Sequence, residues 1–206
     1  MSESHIPPEE RSQTPASETA APDQPTSDPR PNANGFGWLQ ALTVALAVLL
    51  VLFTFVGRII GVDGTSMVPT LNHGDLLFIQ SLNYTPEAGD VVVLHKDFAD
   101  ITSPIVKRII AVGGQTVEVN YNTSTVYVDG QPLEEPYINE VMFDPAGPYT
   151  SQTFWEIPEG SVFVMGDNRN YSSDSRDERL GIIDNRYILG HAVFTLFPLS
   201  SIGPIH

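Results

Sequence analysis

Two hydrophobic rhythms divide the chain. From Trp38 to Val56 there is no charged residue, and Leu, Val, Ala and Phe dominate. A helix over that stretch would span about 28 Å, the thickness of a bilayer's hydrocarbon core. Trp38 suits the interface and Arg58 closes the run. The run lacks a basic start, exceeds the apolar region of a cleavable signal peptide, and ends in Phe-Val-Gly-Arg rather than small residues. It reads as an uncleaved anchor. After Arg58 the apolar stretches shorten, become β-branched and aromatic, and are punctuated by Gly, Pro, Asn and Asp. Strands are expected at Leu76–Gln80, Val91–His95, Ile105–Val112, Val117–Tyr121, Thr125–Val128, Val162–Met165 and Ala192–Phe197. Asp129-Gly130 marks a tight turn, and Ser172–Leu180 is the one place for a short helix.

Residues 1–37 are rich in Pro, Ser, Thr and acids, with too little apolar surface to offset the entropy of ordering. The expected organisation is therefore a disordered acidic tail over 1–37, a transmembrane anchor over 38–57 and a mainly β domain over 58–206. A domain of that size can bury its own core without metals or disulfides.

Composition narrows the chemistry. The formal net charge is −15 and Lys and Arg total 10, too few for the basic footprint of a nucleic-acid partner. There is no cysteine, which excludes thiol catalysis, disulfide frameworks and cysteine-ligated zinc. The histidines are scattered rather than set at metal-binding spacing, so neither metal nor cofactor is expected. Lysine occurs only at Lys96 and Lys107.

Three segments carry candidate chemistry. Gly64-Thr65-Ser66-Met67-Val68-Pro69-Thr70-Leu71 places a serine in a Gly- and Pro-bounded loop, where by itself it could simply cap a turn. It is not the Gly-x-Ser-x-Gly elbow, because Val68 occupies the last position. Ile105-Val106-Lys107-Arg108-Ile109-Ile110 sets two cations in an apolar strand. Alternation puts Lys107 on one face with Ile105, Ile109 and Ala111, and Arg108 on the other with Val106 and Ile110. Arginine keeps its proton, whereas burial makes a lysine easier to deprotonate. A neutral Lys107 could take the proton of Ser66. Equally, a lysine could snorkel its head to solvent from an edge strand. The third segment, Gly160 to Arg176, is an apolar strand ending in Gly166-Asp167-Asn168-Arg169, followed by Ser172, Asp174 and Arg176. So dense a run of hydrogen-bonding groups suits the support of a catalytic base.

Together these segments resemble the bacterial type I signal peptidase family. Ser66-Met67-x-Pro69-Thr70-Leu71 is similar to its nucleophile box. Gly74-Asp75 and Gly89-Asp90-Val91-Val92-Val93 resemble its Gly-Asp strand box. Val106-Lys107-Arg108-Ile109-Ile110 resembles the box bearing the base. Gly166-Asp167-Asn168-Arg169 with Ser172-x-Asp174-Ser175-Arg176 is similar to its longest box. The resemblance covers about residues 38–198 and implies a signal-peptidase-like β-sheet catalytic domain behind a single N-terminal transmembrane helix.

It further implies that Ser66 is the nucleophile, Lys107 the general base, and Ser172 a hydrogen-bond partner of the lysine amine. Asp174 and Arg176 would form an ion pair behind them, and the Ser66 backbone N–H would serve the oxyanion. The hydroxyl donor some members carry two residues before the nucleophile is replaced by Gly64. Tyr171 stands where Asn is usual, and Gly114-Gln115 where Gly-Asp is common. The implied substrates are signal peptides of exported precursors, with small residues at the first and third positions before the cut. The implied setting is a plasma or thylakoid membrane, single-pass, with the catalytic domain outside the cytoplasm. Phe194–Pro198 fits either a lipid-contacting edge or a final core strand. The rivals are a Ser-His-Asp hydrolase using His73, His95 or His191, the self-cleaving SOS-repressor family, and an idle tethered binding module. The histidines lie in no dense polar motif, the repressor family lacks the anchor and the Gly-Asp-Asn-Arg box, and retaining Ser66 and Lys107 together argues against an idle module.

Overall fold

The structure, a computed structural model, describes residues 33–55, 57–98, 101–143 and 147–206. The segment read as an acidic tail lies, through residue 32, outside the described residues. Helix α1, Ala33–Phe55, takes in residues 33–37 of that stretch as well as most of the apolar run. Its side chains are described over residues 36–51, and all of these are exposed. Among the described residues no helix is long and apolar enough to cross a membrane.

The β-rich part contains β1 Gly57–Gly61, β2 Leu76–Gln80, β3 Val91–Leu94, β4 Ile105–Val112, β5 Thr116–Asn120 and β6 Thr125–Val128. There follow β7 Gln131–Pro132, β8 Phe154–Glu156, β9 Ser161–Met165, β10 Ile183–Asp184, β11 Ile188–Phe197 and β12 Gly203–Pro204. Eight of them form one antiparallel sheet in the order β1-β2-β11-β3-β4-β9-β10, with β12 on β11; the other four form a small sheet, β7-β6-β5-β8. The chain is mainly β, as its short β-branched and aromatic runs between turn residues predict. Asp129 and Gly130 both adopt positive φ, 51° and 74°, the left-handed pair that a two-residue hairpin needs. Ser172–Leu180 forms turns rather than a helix, because its side chains bond their own neighbouring backbone: Asp174 accepts from Arg176 N, and Asp177 from Arg179 N.

Central strands bury both faces, which is why they read as unbroken apolar runs rather than alternating ones. In β3, Val91 and Val93 pack with Met67, Leu71 and Ile79, while Val92 and Leu94 pack with Ile109, Val162 and Leu180. In β9, Phe163 and Met165 turn toward Trp155 and the small sheet. Strand β4 departs from strict alternation. A bulge between Ile109 and Ala111 sends Ile110 and Ala111 together into the cluster against the small sheet. Ala111 therefore does not share a face with Ile109. Ahead of the bulge, Val92 pairs with Lys107 and Val91 with Arg108, which places both cations deep in the large sheet.

Candidate active site

Ser66 sits on the turn that follows β1, anchored by the buried side chains of Met67 and Leu71. Val68 N donates to Thr65 O and Leu71 N to Met67 O, which tightens the turn. Lys107 projects from β4 and is 3 % exposed. Its Nζ lies 2.7 Å from Ser66 Oγ and donates at 2.9 Å to Val106 O. Burial pushes the Lys107 ammonium down to about 8, against the upward pull of the Asp174 and Asp167 carboxylates; Arg176 pushes it lower still. Both groups line a cavity of about 220 Å³ whose walls include Val62, Gly64, Ile105, Val106 and Tyr171.

The segment after β9 holds this pair in place through its backbone. Asn168 N donates to Ser66 O at 3.0 Å, and Asn168 Nδ2 to Thr65 O at 3.1 Å. Gly166 packs so close that a Cβ there would collide with the Ser66 carbonyl oxygen and the Ser172 hydroxyl. Asp174 and Arg176 make a two-pronged ion pair, with Nε and Nη2 each 2.8 Å from the carboxylate and both side chains fully buried. Burial raises the Asp174 carboxyl, yet Arg176 and the Gly166 N–H outweigh it and hold the group below its ordinary range. Asp174 Oδ2 accepts from Gly166 N at 3.1 Å, so the ion pair fixes the peptide that packs on Ser66.

The structure shows no hydrogen bond between Ser172 and the lysine amine, the bond the resemblance implies. The Ser172 Oγ is buried and makes no hydrogen bond of good geometry, and the second bond of the lysine amine goes to Val106 O instead. The Ser172 hydroxyl nevertheless helps to hold the Asp174 carboxyl down. Glycine at position 64 offers no hydroxyl beside Ser66, and its N–H donates to His73 Nδ1 at 3.3 Å. His95 lies 4.0 Å from Asp97 and His191 3.6 Å from Asp90. Among the described residues the group at hydrogen-bond distance from Ser66 Oγ is Lys107, not a histidine.

A second buried ion pair went unassigned from the sequence. Arg108 grips Asp167 through Nε at 2.9 Å and Nη2 at 2.7 Å, and Thr70 Oγ1 donates to the same carboxylate at 2.5 Å. Beside it Arg169 pairs with Glu135 at 2.5 Å, and Tyr137 lies 4.1 Å under the Arg108 guanidinium. Burial, with Glu135 beside it, pushes the Tyr137 phenol up to about 12. The available signal was charge balance: Arg108 in an apolar strand needs a carboxylate, and Asp167 follows the next strand in the sheet.

A family model described as "Signal peptidase, peptidase S26" matches residues 36–197. The chain belongs to the signal peptidase family. A protein of Synechocystis named "Probable signal peptidase I-1" is 40% identical over 173 residues, covering 80% of this chain and 83% of the relative. Signal peptidase I of Bacillus licheniformis is 36% identical over 174 residues, 81% of this chain and 91% of that one. A crystal structure of a signal peptidase I from Enterococcus faecalis aligns with a TM-score of 0.42 at 27% identity, covering 53% of this chain and 98% of the other. Family membership makes this chain a serine endopeptidase of the signal peptidase I type.

Proposed function

We propose that this signal peptidase removes signal peptides from exported precursors by a Ser66–Lys107 dyad, tethered to a membrane by its N-terminal apolar segment. The observation that carries the reading is the buried Lys107 amine, 2.7 Å from the Ser66 hydroxyl inside a cavity. Ser66 Oγ attacks the scissile carbonyl while its proton passes to the neutral Nζ. The Ser66 backbone N–H faces the developing oxyanion. Collapse transfers that proton from the ammonium to the departing amine, leaving the signal peptide esterified to Ser66. Lys107 then deprotonates a water that cleaves the ester. The Asp174–Arg176 pair sets the Gly166 peptide against the nucleophile turn and takes no proton itself.

Val62, Ile105 and Val106 give the cavity apolar walls, which suit small apolar side chains such as alanine next to the cut. Support for the membrane tether comes from the uncharged Trp38–Val56 run of the sequence. Exposed Phe197, Leu199 and Ile202 add an apolar edge suited to lipid contact, with the catalytic domain on the extracytoplasmic face.

Detergent-solubilised protein is expected to cut a precursor bearing an Ala-x-Ala site and to spare one with Phe next to the cut. Below pH 8 only the fraction of Lys107 that is neutral is competent, so kcat/KM falls by about tenfold per pH unit on the acid side. It levels off above about 8, the value to which burial lowers the amine. A rate independent of pH between 6 and 9 would contradict the dyad.

A further inference from the structure

Residues 203–206 do more than finish a strand. β12, Gly203–Pro204, pairs with Phe194 and Thr195 of β11. Ile205 N then donates to Val193 O at 3.2 Å, and the Ile205 side chain packs on the cluster containing Met67 and Leu71, the residues that anchor the nucleophile turn. The main-chain oxygen of His206 accepts from Arg108 Nη2 at 3.0 Å. That guanidinium is 2 % exposed, so its five donors need acceptors within the protein. Four of the five bond to the two Asp167 oxygens, Gly89 O and His206 O. Asp167 in turn accepts from Thr70, four residues beyond the nucleophile, and the next residue's N–H holds Ser66 O.

We propose that residues 203–206 are a positioning element for the nucleophile, acting through the relay His206 main chain, Arg108, Asp167 and Thr70. The relay rests on the dyad reading above. Because β12 is pinned to β11 and Ile205 to the core, the His206 oxygen is a fixed acceptor rather than a loose end. It orients the one Arg108 nitrogen that also grips Asp167 Oδ2, the oxygen to which Thr70 donates. Arg108 lies next to Lys107 on β4 with its side chain on the other face, so the tail reaches the nucleophile from the side opposite the base. It sets where Ser66 stands and makes no direct hydrogen bond to the amine, whose bonds go to Ser66 and Val106.

The test removes His206 alone from the full-length, detergent-solubilised protein, which keeps the β12 pairing and the Ile205 packing. We expect kcat to fall about tenfold, KM to stay within about twofold and the pH midpoint to stay put, because small displacements of a reacting group cost rate rather than binding. Thermal unfolding should shift little. Removing Ile205 and His206 together should lower kcat at least as far. In a Thr70→Val background, where the relay is already cut at its other end, the same deletion should add less than about twofold, since groups acting in series do not add. An unchanged kcat would overturn the proposal. So would a loss of the same factor in both backgrounds, or one that only tracks a lowered melting point. Wild-type protein that fails to cut the precursor would instead sink the dyad reading, which separates the two failures.

Discussion

Lys107→Met is expected to lower kcat by about 10⁴ or more while leaving the protein at least as stable. General-base removal costs about 10²–10⁴, and nucleophile and base act as a unit, so losing either forfeits most of what both supply. Methionine matches the length and apolar stem of lysine, and it removes an amine whose charged form burial disfavours. Far-UV circular dichroism and the melting temperature should therefore match the parent while activity disappears. Lys107→Arg is expected to be as inactive, because a guanidinium keeps its proton. Ser66→Ala should match both, and the double variant should lose little more than either single one. Substantial turnover in Lys107→Met would transfer the base role to another group.

Breaking the buried ion pair should produce the largest stability effect. Asp174→Ala leaves the Arg176 guanidinium without a counter-charge in a site where both side chains are fully buried. Stranding a buried charge in this way costs about 3–5 kcal/mol. For a domain of this size that corresponds to a melting point lower by about 10 °C. The loss also removes the acceptor for Gly166 N, so residual activity at low temperature should fall with it. Arg186→Ala makes the comparison. Its pair with Asp184 is as short, 2.8 Å, but the arginine is 85% exposed, so little measurable change is expected. Equal melting points for the two variants would mean that the Asp174 pair contributes no more than a surface contact.

The sequence made local features legible and long-range ones obscure. Leu76–Gln80, Ile105–Val112 and Thr125–Val128 appear as strands with the expected bounds, because each is a short, largely apolar run bounded by turn residues. The short strands Gln131–Pro132, Ile183–Asp184 and Gly203–Pro204 carry no such pattern; the first is set by the Asp129-Gly130 hairpin that folds it back on β6, the other two by the longer strands β9 and β11 they pair with. The bulge in β4 breaks alternation without any glycine or proline to announce it.

At the site, the nearness of Ser66 to Lys107, 41 positions apart, could be expected only because of the family resemblance. Arg108 and Lys107 look alike as cations in one strand, yet one meets a carboxylate and the other a hydroxyl. Nothing in the hexapeptide says which. The Thr70–Asp167 bond spans 97 positions and has no local signature at all. The Ser172 hydroxyl lies close to Gly166 and Asp174, neighbours that the sequence spacing alone does not single out.

The two lysines allow a direct measurement of the charge state on which the account depends. With ¹³C at lysine Cε, the protein gives one signal for Lys96 and one for Lys107, and Lys96→Arg assigns them. The account predicts that the Lys107 signal titrates with a midpoint near 8, in step with kcat/KM. A midpoint near the ordinary lysine value of 10.5 would leave the amine charged at working pH, and Ser66 would need a different base.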